Sequence, residues 1–465
     1  DAGRHGPAQP RALVRSLAHR RQTGAAPPGG KPPRLPSRAA WPTPPGMTRF
    51  ADAARAAEER LRALFPPTPL QRNVHLSERY GAEIWLKRED LSPVRSYKLR
   101  GAFNAMGKVL AARPDQRLFV AASAGNHAQG MAFVCRHFGV RGVIFMPVTT
   151  PEQKIMKTRT FGGDNVEIRL TGDYVDDTLA EAQAWCAEAG GHFLSPFDDA
   201  DVIEGQASVA VEMLAQGEAQ GLGHPDMVVL PVGGGGLSAG VTACLEEVAP
   251  EVALRYVEPE GGASLAAALA AGTPVTLDRV DTFVDGAAVA RVGANTFDRL
   301  RRVDPAAVLA APENRICGTI LEMLNVEGIV LEPAGALALD VLPELAPQIA
   351  GRRIVCVTSG GNFDFERLPE VKERSQRYTG RKKYLILRLP QRPGALRDFL
   401  EMLGPEDDIA RFEYLKKSAR NFGSVLLGIE TARPENFAAL FDRLDAHGFV
   451  YTDITADELI GQFIV

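Results

Sequence analysis

Val94-Arg95-Ser96-Tyr97-Lys98-Leu99-Arg100-Gly101-Ala102 is the stretch on which the reading of this chain turns. It follows a strand-like run, Glu83-Ile84-Trp85-Leu86-Lys87. After it come Phe103, Met106, Val109 and Leu110, whose three- and four-residue spacing predicts a helix. Lys98 therefore stands at a strand-to-helix corner, where an amine can face a cleft. A single lysine in such a place is ordinarily a solvated surface residue, so its meaning depends on two loops far away in sequence.

The first loop is Ser123-Ala124-Gly125-Asn126-His127-Ala128-Gln129-Gly130, which follows the apolar run Leu118-Phe119-Val120-Ala121-Ala122 and opens a helix carrying Met131, Val134, Cys135 and Phe138. The second is Gly233-Gly234-Gly235-Gly236-Leu237, between the strand-like Met227-Val228-Val229-Leu230 and a helix predicted over Ser238 to Val248. Glycines at such a junction let backbone N–H groups approach an anion at a helix N-terminus, where the dipole is also favourable. A tight packing turn explains a glycine loop equally well when it stands alone. Together, a corner lysine, an asparagine loop and a tetraglycine cradle describe a phosphorylated cofactor held by its phosphate and joined to an amine. Pyridoxal phosphate fits that description.

These motifs resemble those of the threonine/serine dehydratases among the fold-type II pyridoxal-phosphate enzymes. Ser96 to Ala102 looks like their Schiff-base motif, Ser123 to Gly130 like their asparagine loop, and Gly233 to Leu237 like their phosphate loop. Thr358-Ser359-Gly360-Gly361-Asn362, after Ile354-Val355-Cys356-Val357, looks like the segment that sets a hydroxyl beside the pyridine nitrogen. The resemblance runs from about Met47 to Val465 and implies roles. Lys98 and Ser359 would be catalytic, and Gly233, Gly234, Gly235, Gly236 and Leu237 would bind the phosphate. Asn126 would hydrogen-bond the ring's 3′ oxygen. Ser123, Ala124, Gly125 and Asn126 would receive the substrate carboxylate. A neutral hydroxyl at Ser359 leaves the ring a weaker electron sink than an acid would, which favours loss of a β-hydroxyl over reprotonation.

Three further features stay open. His127 is either an acid or a packing side chain. Glu332 is either a helix N-terminal acid favoured by the dipole or a direct participant. Glu258-Pro259-Glu260 resembles the cation site of some relatives, but Gly261-Gly262 does not complete a ligand set, so no metal is expected.

The composition is compatible with this chemistry. The chain has 465 residues, 45% of them hydrophobic, enough for more than one sizeable core. A net charge of -4 gives no electrostatic case for nucleic acid. Cys135, Cys186, Cys244, Cys317 and Cys356 have no CxxC spacing and read as buried thiols of a reducing compartment. No apolar run approaches the roughly 18 residues of a membrane span, so a soluble, cytoplasmic protein without a membrane partner is expected. Residues 1–46 are rich in arginine, proline and glycine and hold one acidic residue, Asp1, so disorder is expected there. An organelle transit peptide is also Arg-rich and acid-poor, but serine is sparse, proline breaks any amphipathic helix and no methionine precedes Met47, which favours a mis-set or artificial upstream extension.

Three segments are expected: the extension 1–46, a catalytic domain over 47–375, and a tail module over 382–460. In the catalytic domain, helix patterns such as Phe50 to Leu64, Glu152 to Thr160 and Val202 to Ala215 alternate with short apolar strands. That alternation predicts α/β architecture, with two parallel-sheet subdomains covered by helices on both faces. Arg374 to Lys383 reads as a basic, turn-like separator. The tail reads βαββαβ over Tyr384–Leu389, Ala395–Leu400, Ile409–Tyr414, Val425–Ile429, Glu435–Ala446 and Val450–Ile454. This is the split β-α-β order of an α+β, ferredoxin-like module, and it resembles the ACT-like regulatory module of biosynthetic threonine dehydratases, in one copy.

The function implied is pyridoxal-phosphate-dependent deamination of L-threonine, and of L-serine, by a homotetramer inhibited by isoleucine. Serine dehydration or racemisation is the alternative within the same cofactor chemistry. A non-catalytic phosphate- or amino-acid-binding regulator is the alternative outside it.

Overall fold

The computed structural model describes residues 49–415 and 421–457; the expectation for residues 1–46 lies outside them. The catalytic part contains β1 (Leu70–Arg72), β2 (Glu83–Arg88), β3 (Leu118–Ala122), β4 (Arg141–Met146) and β5 (Val166–Leu170). It continues with β6 (His192–Phe193), β7 (Met227–Pro231), β8 (Ala253–Pro259), β9 (Val308–Ala311) and β10 (Arg353–Thr358). They form a six-stranded sheet in the order β1-β2-β10-β7-β8-β9 and a four-stranded sheet in the order β5-β4-β3-β6. Every pairing is parallel except the short β1 against β2.

The apolar runs dictate this arrangement. Successive strand side chains point to opposite faces, and in β7 and β10 both sets are buried. Met227, Val229, Ile354 and Cys356 join Ile316 and Leu337 on one face. On the other, Val228, Leu230, Val355 and Val357 join Ile203, Leu237 and Val241. A strand apolar on both faces needs helices on both, and parallel crossovers supply them. All five cysteines are buried and unpaired. Among the described residues, no helix is long and apolar enough to cross a membrane.

The tail contains β11 (Lys382–Pro390), β12 (Asp407–Leu415), β13 (Phe422–Thr431) and β14 (Val450–Asp453), with helices Ala395–Leu400 and Asn436–Ala446. The strands form an antiparallel sheet in the order β12-β13-β11-β14, and the element order is βαββαβ. Leu385, Leu387, Val425, Leu427 and Ile429 face the two helices in one core with Phe399, Leu440 and Leu444.

The separator differs from its sequence reading. Leu368–Tyr378 is a helix and β11 begins at Lys382, so Arg374 to Tyr378 are the last turn of the helix and only Thr379 to Arg381 form the turn. Its buried side chains are Val371 and Ser375 alone, too few to register as an apolar stripe. Stacking supplies the missing contact: the Arg367 and Arg374 guanidinium groups lie 4.7 and 4.4 Å from the Phe283 ring centre.

Candidate active site

The loops that follow β3, β7 and β10 all leave the carboxyl ends of parallel strands, where open α/β sheets form their crevices. Lys98 opens the helix Lys98–Ala112. Its approach is bent at Arg95, the one non-glycine residue with positive φ (58°) among the described residues. That left-handed corner is costly for a side chain and is braced on both sides. Tyr97 N donates to Ser359 O at 3.1 Å and Gly361 N to Arg95 O at 2.9 Å, so the lysine segment is stitched to the end of β10.

Lys98 Nζ donates to Pro196 O at 2.8 Å. It lies 5.2 and 5.8 Å from the ring centres of Tyr97 and Phe197. Burial penalises the ammonium and brings its pKa down to about 8, against a smaller upward pull from Glu332. Phe197 also walls the glycine loop: a Cβ on Gly234 would fall 2.4 Å from its ring, and one on Gly233 would fall 2.9 Å from Ala287 Cα. Only glycine lets these chains approach so closely.

The helix beyond the loop spans Gly236–Val248, starting two residues earlier than the sequence reading, with Gly235 at φ 90° before it. Thr296 Oγ1 donates to Gly234 O at 2.9 Å. Asp198 accepts from the N–H groups of Ala294, Asn295 and Thr296 and so holds that segment against the loop. Among the described residues, no acceptor faces the N–H groups of Gly233 to Leu237, most of which are buried. Buried N–H groups left unpaired at a helix N-terminus are what an anion satisfies. The residues present therefore fit the phosphate of pyridoxal phosphate. Leu237 can contribute only its N–H, since its side chain belongs to the core.

Asn126 begins the helix Asn126–Phe138. Its Nδ2 donates to Glu332 Oε1 at 2.6 Å, and Asn362 Nδ2 donates to its Oδ1 at 2.7 Å. Ser359 Oγ is buried and donates to Ala334 O at 3.2 Å. Ser123 Oγ accepts from Gly125 N at 3.2 Å, and Ser123, Ala124 and Gly125 are half-buried. His127 is buried, its Nε2 lies 2.9 Å from Leu194 O, and burial next to Lys98 drives its pKa down to about 3. Glu258 accepts from the N–H groups of Leu265 and Ala266. Glu332 precedes the helix Pro333–Asp340 without capping it by its side chain.

Residues 61–360 match the family described as "Pyridoxal-phosphate dependent enzyme", and residues 373–464 match "C-terminal regulatory domain of Threonine dehydratase". The L-threonine dehydratase biosynthetic IlvA of Bacillus subtilis is 46% identical over 410 residues, 88% of this chain and 96% of that protein. The chain belongs to the pyridoxal-phosphate-dependent threonine dehydratase family. The corresponding protein of Lactococcus lactis is 43% identical over 88% of this chain and 98% of its own. The processed threonine deaminase isoform 2 of Solanum lycopersicum superposes with a TM-score of 0.65 at 33% identity, over 75% of this chain and 99% of that one.

For a member of this family, the sequence reading missed Pro196, Phe197 and Asn362. No motif marks Pro196 or Phe197, which enter the site from a turn whose position depends on packing; Asn362 closes the Thr358 to Asn362 segment, where its residue type alone gave it no role. Tetraglycine carried an indirect signal: four glycines imply a bulky neighbour, and Phe197 is that neighbour.

Proposed function

We propose that this chain converts L-threonine to 2-oxobutanoate and ammonia, with pyridoxal phosphate held at Lys98. The observation that carries the reading is the meeting, around Phe197, of a cleft amine of lowered basicity with a loop of unpaired N–H groups at a helix N-terminus. When bound, pyridoxal phosphate supplies the electron sink that acidifies the Cα–H of an amino acid and lets a β-hydroxyl depart.

The chain's own residues supply the rest. With a pKa near 8, part of the Lys98 population is neutral at physiological pH and can take the Cα proton. The N–H groups of Gly233 to Leu237 would bind the phosphate dianion, and Asn126 would hold the ring's 3′ oxygen. Ser123, Ala124, Gly125 and Asn126 would receive the substrate carboxylate. Ser359 would meet the pyridine nitrogen with a neutral hydroxyl, which would keep electron withdrawal modest and favour elimination. Loss of the Cα proton and the β-hydroxyl removes water from threonine. The released enamine takes up water again and yields the 2-oxo acid and ammonia.

L-Serine is the second substrate, L-isoleucine the ligand of the tail module, and the enzyme works as a cytoplasmic homotetramer. The test is 2-oxo-acid formation from L-threonine and L-serine by the full chain, with and without L-isoleucine. Turnover of threonine suppressed by isoleucine is the expected result. Turnover untouched by isoleucine refutes the effector, and turnover of serine alone, or its racemisation, refutes the substrate.

A further inference from the structure

Glu332 is a carboxyl group that the roles above leave unused, and the structure builds a slot for it. It is buried (6% exposed), and no lysine, arginine or histidine among the described residues forms an ion pair with it. A Cβ on Gly360 would fall 2.0 Å from its Oε1, and one on Gly286 would meet Ala334 at 2.9 Å and Glu332 Oε1 at 3.8 Å. Glycine at 360 thus leaves room for this carboxyl, and Gly360 is bridged to Ser96 beside the lysine segment.

What the carboxyl does there is visible in its hydrogen bonds. Asn126 has two N–H bonds and one oxygen to offer. Glu332 Oε1 accepts from Nδ2 at 2.6 Å, and Asn362, itself anchored on Val94 O at 2.8 Å, donates to Oδ1 at 2.7 Å. With an acceptor on one side and a donor on the other, the amide has one orientation, and a single N–H is left over.

We propose that Glu332, with Asn362, is a positioning residue for the cofactor: it pins the Asn126 amide so that the remaining N–H is offered to the 3′ oxygen of the pyridoxal ring. This rests on the reading that pyridoxal phosphate occupies the cleft. Its charge state is a second handle on the same ring edge. Burial and the nearby Asp285 raise the Glu332 pKa to about 7, while the Asn126 bond and the lysines Lys154 and Lys157 pull the other way. Lys98 and Tyr97 face the same group from the start of their helix. Lys154 is engaged by Asp285, and Lys157 is repelled by Arg95 while Glu332 and Asp364 attract it. Burial thus favours the neutral acid form of Glu332 well above the usual carboxylate range.

The test compares purified wild type with Glu332→Ala, Glu332→Gln and Asn362→Ala, reading the visible absorbance of the bound cofactor from pH 6 to pH 9 and the rate at which cofactor is lost on dilution. Circular dichroism confirms that each variant is folded. Glu332→Ala and Asn362→Ala should displace the absorbance maximum and release cofactor about tenfold faster or more, the equivalent of one hydrogen bond to a charged or polarised group. Glu332→Gln keeps an oxygen for Asn126 Nδ2, so it should hold cofactor like the wild type while losing the wild type's absorbance change near pH 7. Alanine variants with wild-type maximum and release rate overturn the proposal, as does a Gln variant as defective as Ala. If Glu332→Ala does not fold, Glu332→Gln and Asn362→Ala still decide. A wild type without bound cofactor overturns both the cofactor reading and this inference.

Discussion

Replacing Arg100 by methionine should cost about 3–5 kcal/mol of stability, because it strips the counter-ion from two buried carboxylates. Arg100 lies two residues after Lys98 on the same helix and is fully buried. Its five N–H groups are shared among six acceptor oxygens. Two belong to Glu89 (2.7 and 2.8 Å) and two to Glu212 (2.8 and 2.8 Å), with Ser208 at 3.0 Å and Thr68 at 3.1 Å. Lys87, also fully buried, donates to Glu212 at 2.7 Å and lies 4.0 Å from Glu89. Within this dry quartet, two cations balance two anions. Arg100→Met leaves Lys87 alone against Glu89 and Glu212, whose remaining help is the partly exposed Arg62 beside Glu212. Adding Glu212→Leu restores the balance as a Lys87–Glu89 pair, so the double variant should recover more than half of the loss. Urea unfolding of wild type, both single variants and the double variant measures this directly. A single-variant loss below about 1 kcal/mol, the range of an exposed ion pair, refutes the reasoning, as does a double variant no better than the worse single.

Four other outcomes follow from the same geometry. Burial works to raise the Glu212 pKa, but Arg100 and Lys87 bring it down to about 2 from 4.5, so its stabilisation is complete above pH 4.5 and fades as pH falls towards 2; Glu212→Gln should flatten that limb of the acid-unfolding curve. His127, held near 3, stays neutral in the folded protein while the unfolded chain protonates below about 6.5, so it lowers stability between pH 6.5 and 3; an imidazole NMR titration with a midpoint above 5 would contradict this. Gly234→Ala drives a methyl into Phe197 and should weaken cofactor binding about tenfold or more, the effect of about 1–3 kcal/mol of overpacking, and Phe197→Ala in the same chain should return part of it, both read as a dissociation constant. Lys98→Ala should abolish the visible absorbance of the purified protein while Ser359→Ala leaves it largely in place; a coloured Lys98→Ala protein would remove Lys98 from its role.

Some of the site was legible before the fold and some was not. Lys98, Asn126, Ser359 and the Gly233–Gly236 run are local: each sits in a strand–loop–helix junction whose pattern is written in consecutive residues. The catalytic sheets were equally local, because β7 and β10 are apolar on both faces and such strands have only one environment. The helix Leu368–Tyr378 was missed, since two buried side chains and a pair of arginines stacked on Phe283 leave no apolar period to read. His127 and Glu332 show the same limit from the other side. A histidine and a glutamate at helix starts carry no mark that separates a spectator from a participant.

The amino-acid sequence by itself therefore determined most of the strands and helices and that the sheets are parallel and covered on both faces, and it marked four junctions as candidates for the chemistry. Those are properties of neighbouring residues, set by backbone sterics and by the period of burial. Only the tertiary structure decided that Phe197 packs on the glycine loop, that Asn362 and Glu332 hold one amide between them, and that His127 is buried against Leu194 O. Each of these depends on bringing together residues tens to hundreds of positions apart, and the distances and desolvation that follow exist only once the chain has closed around the cleft.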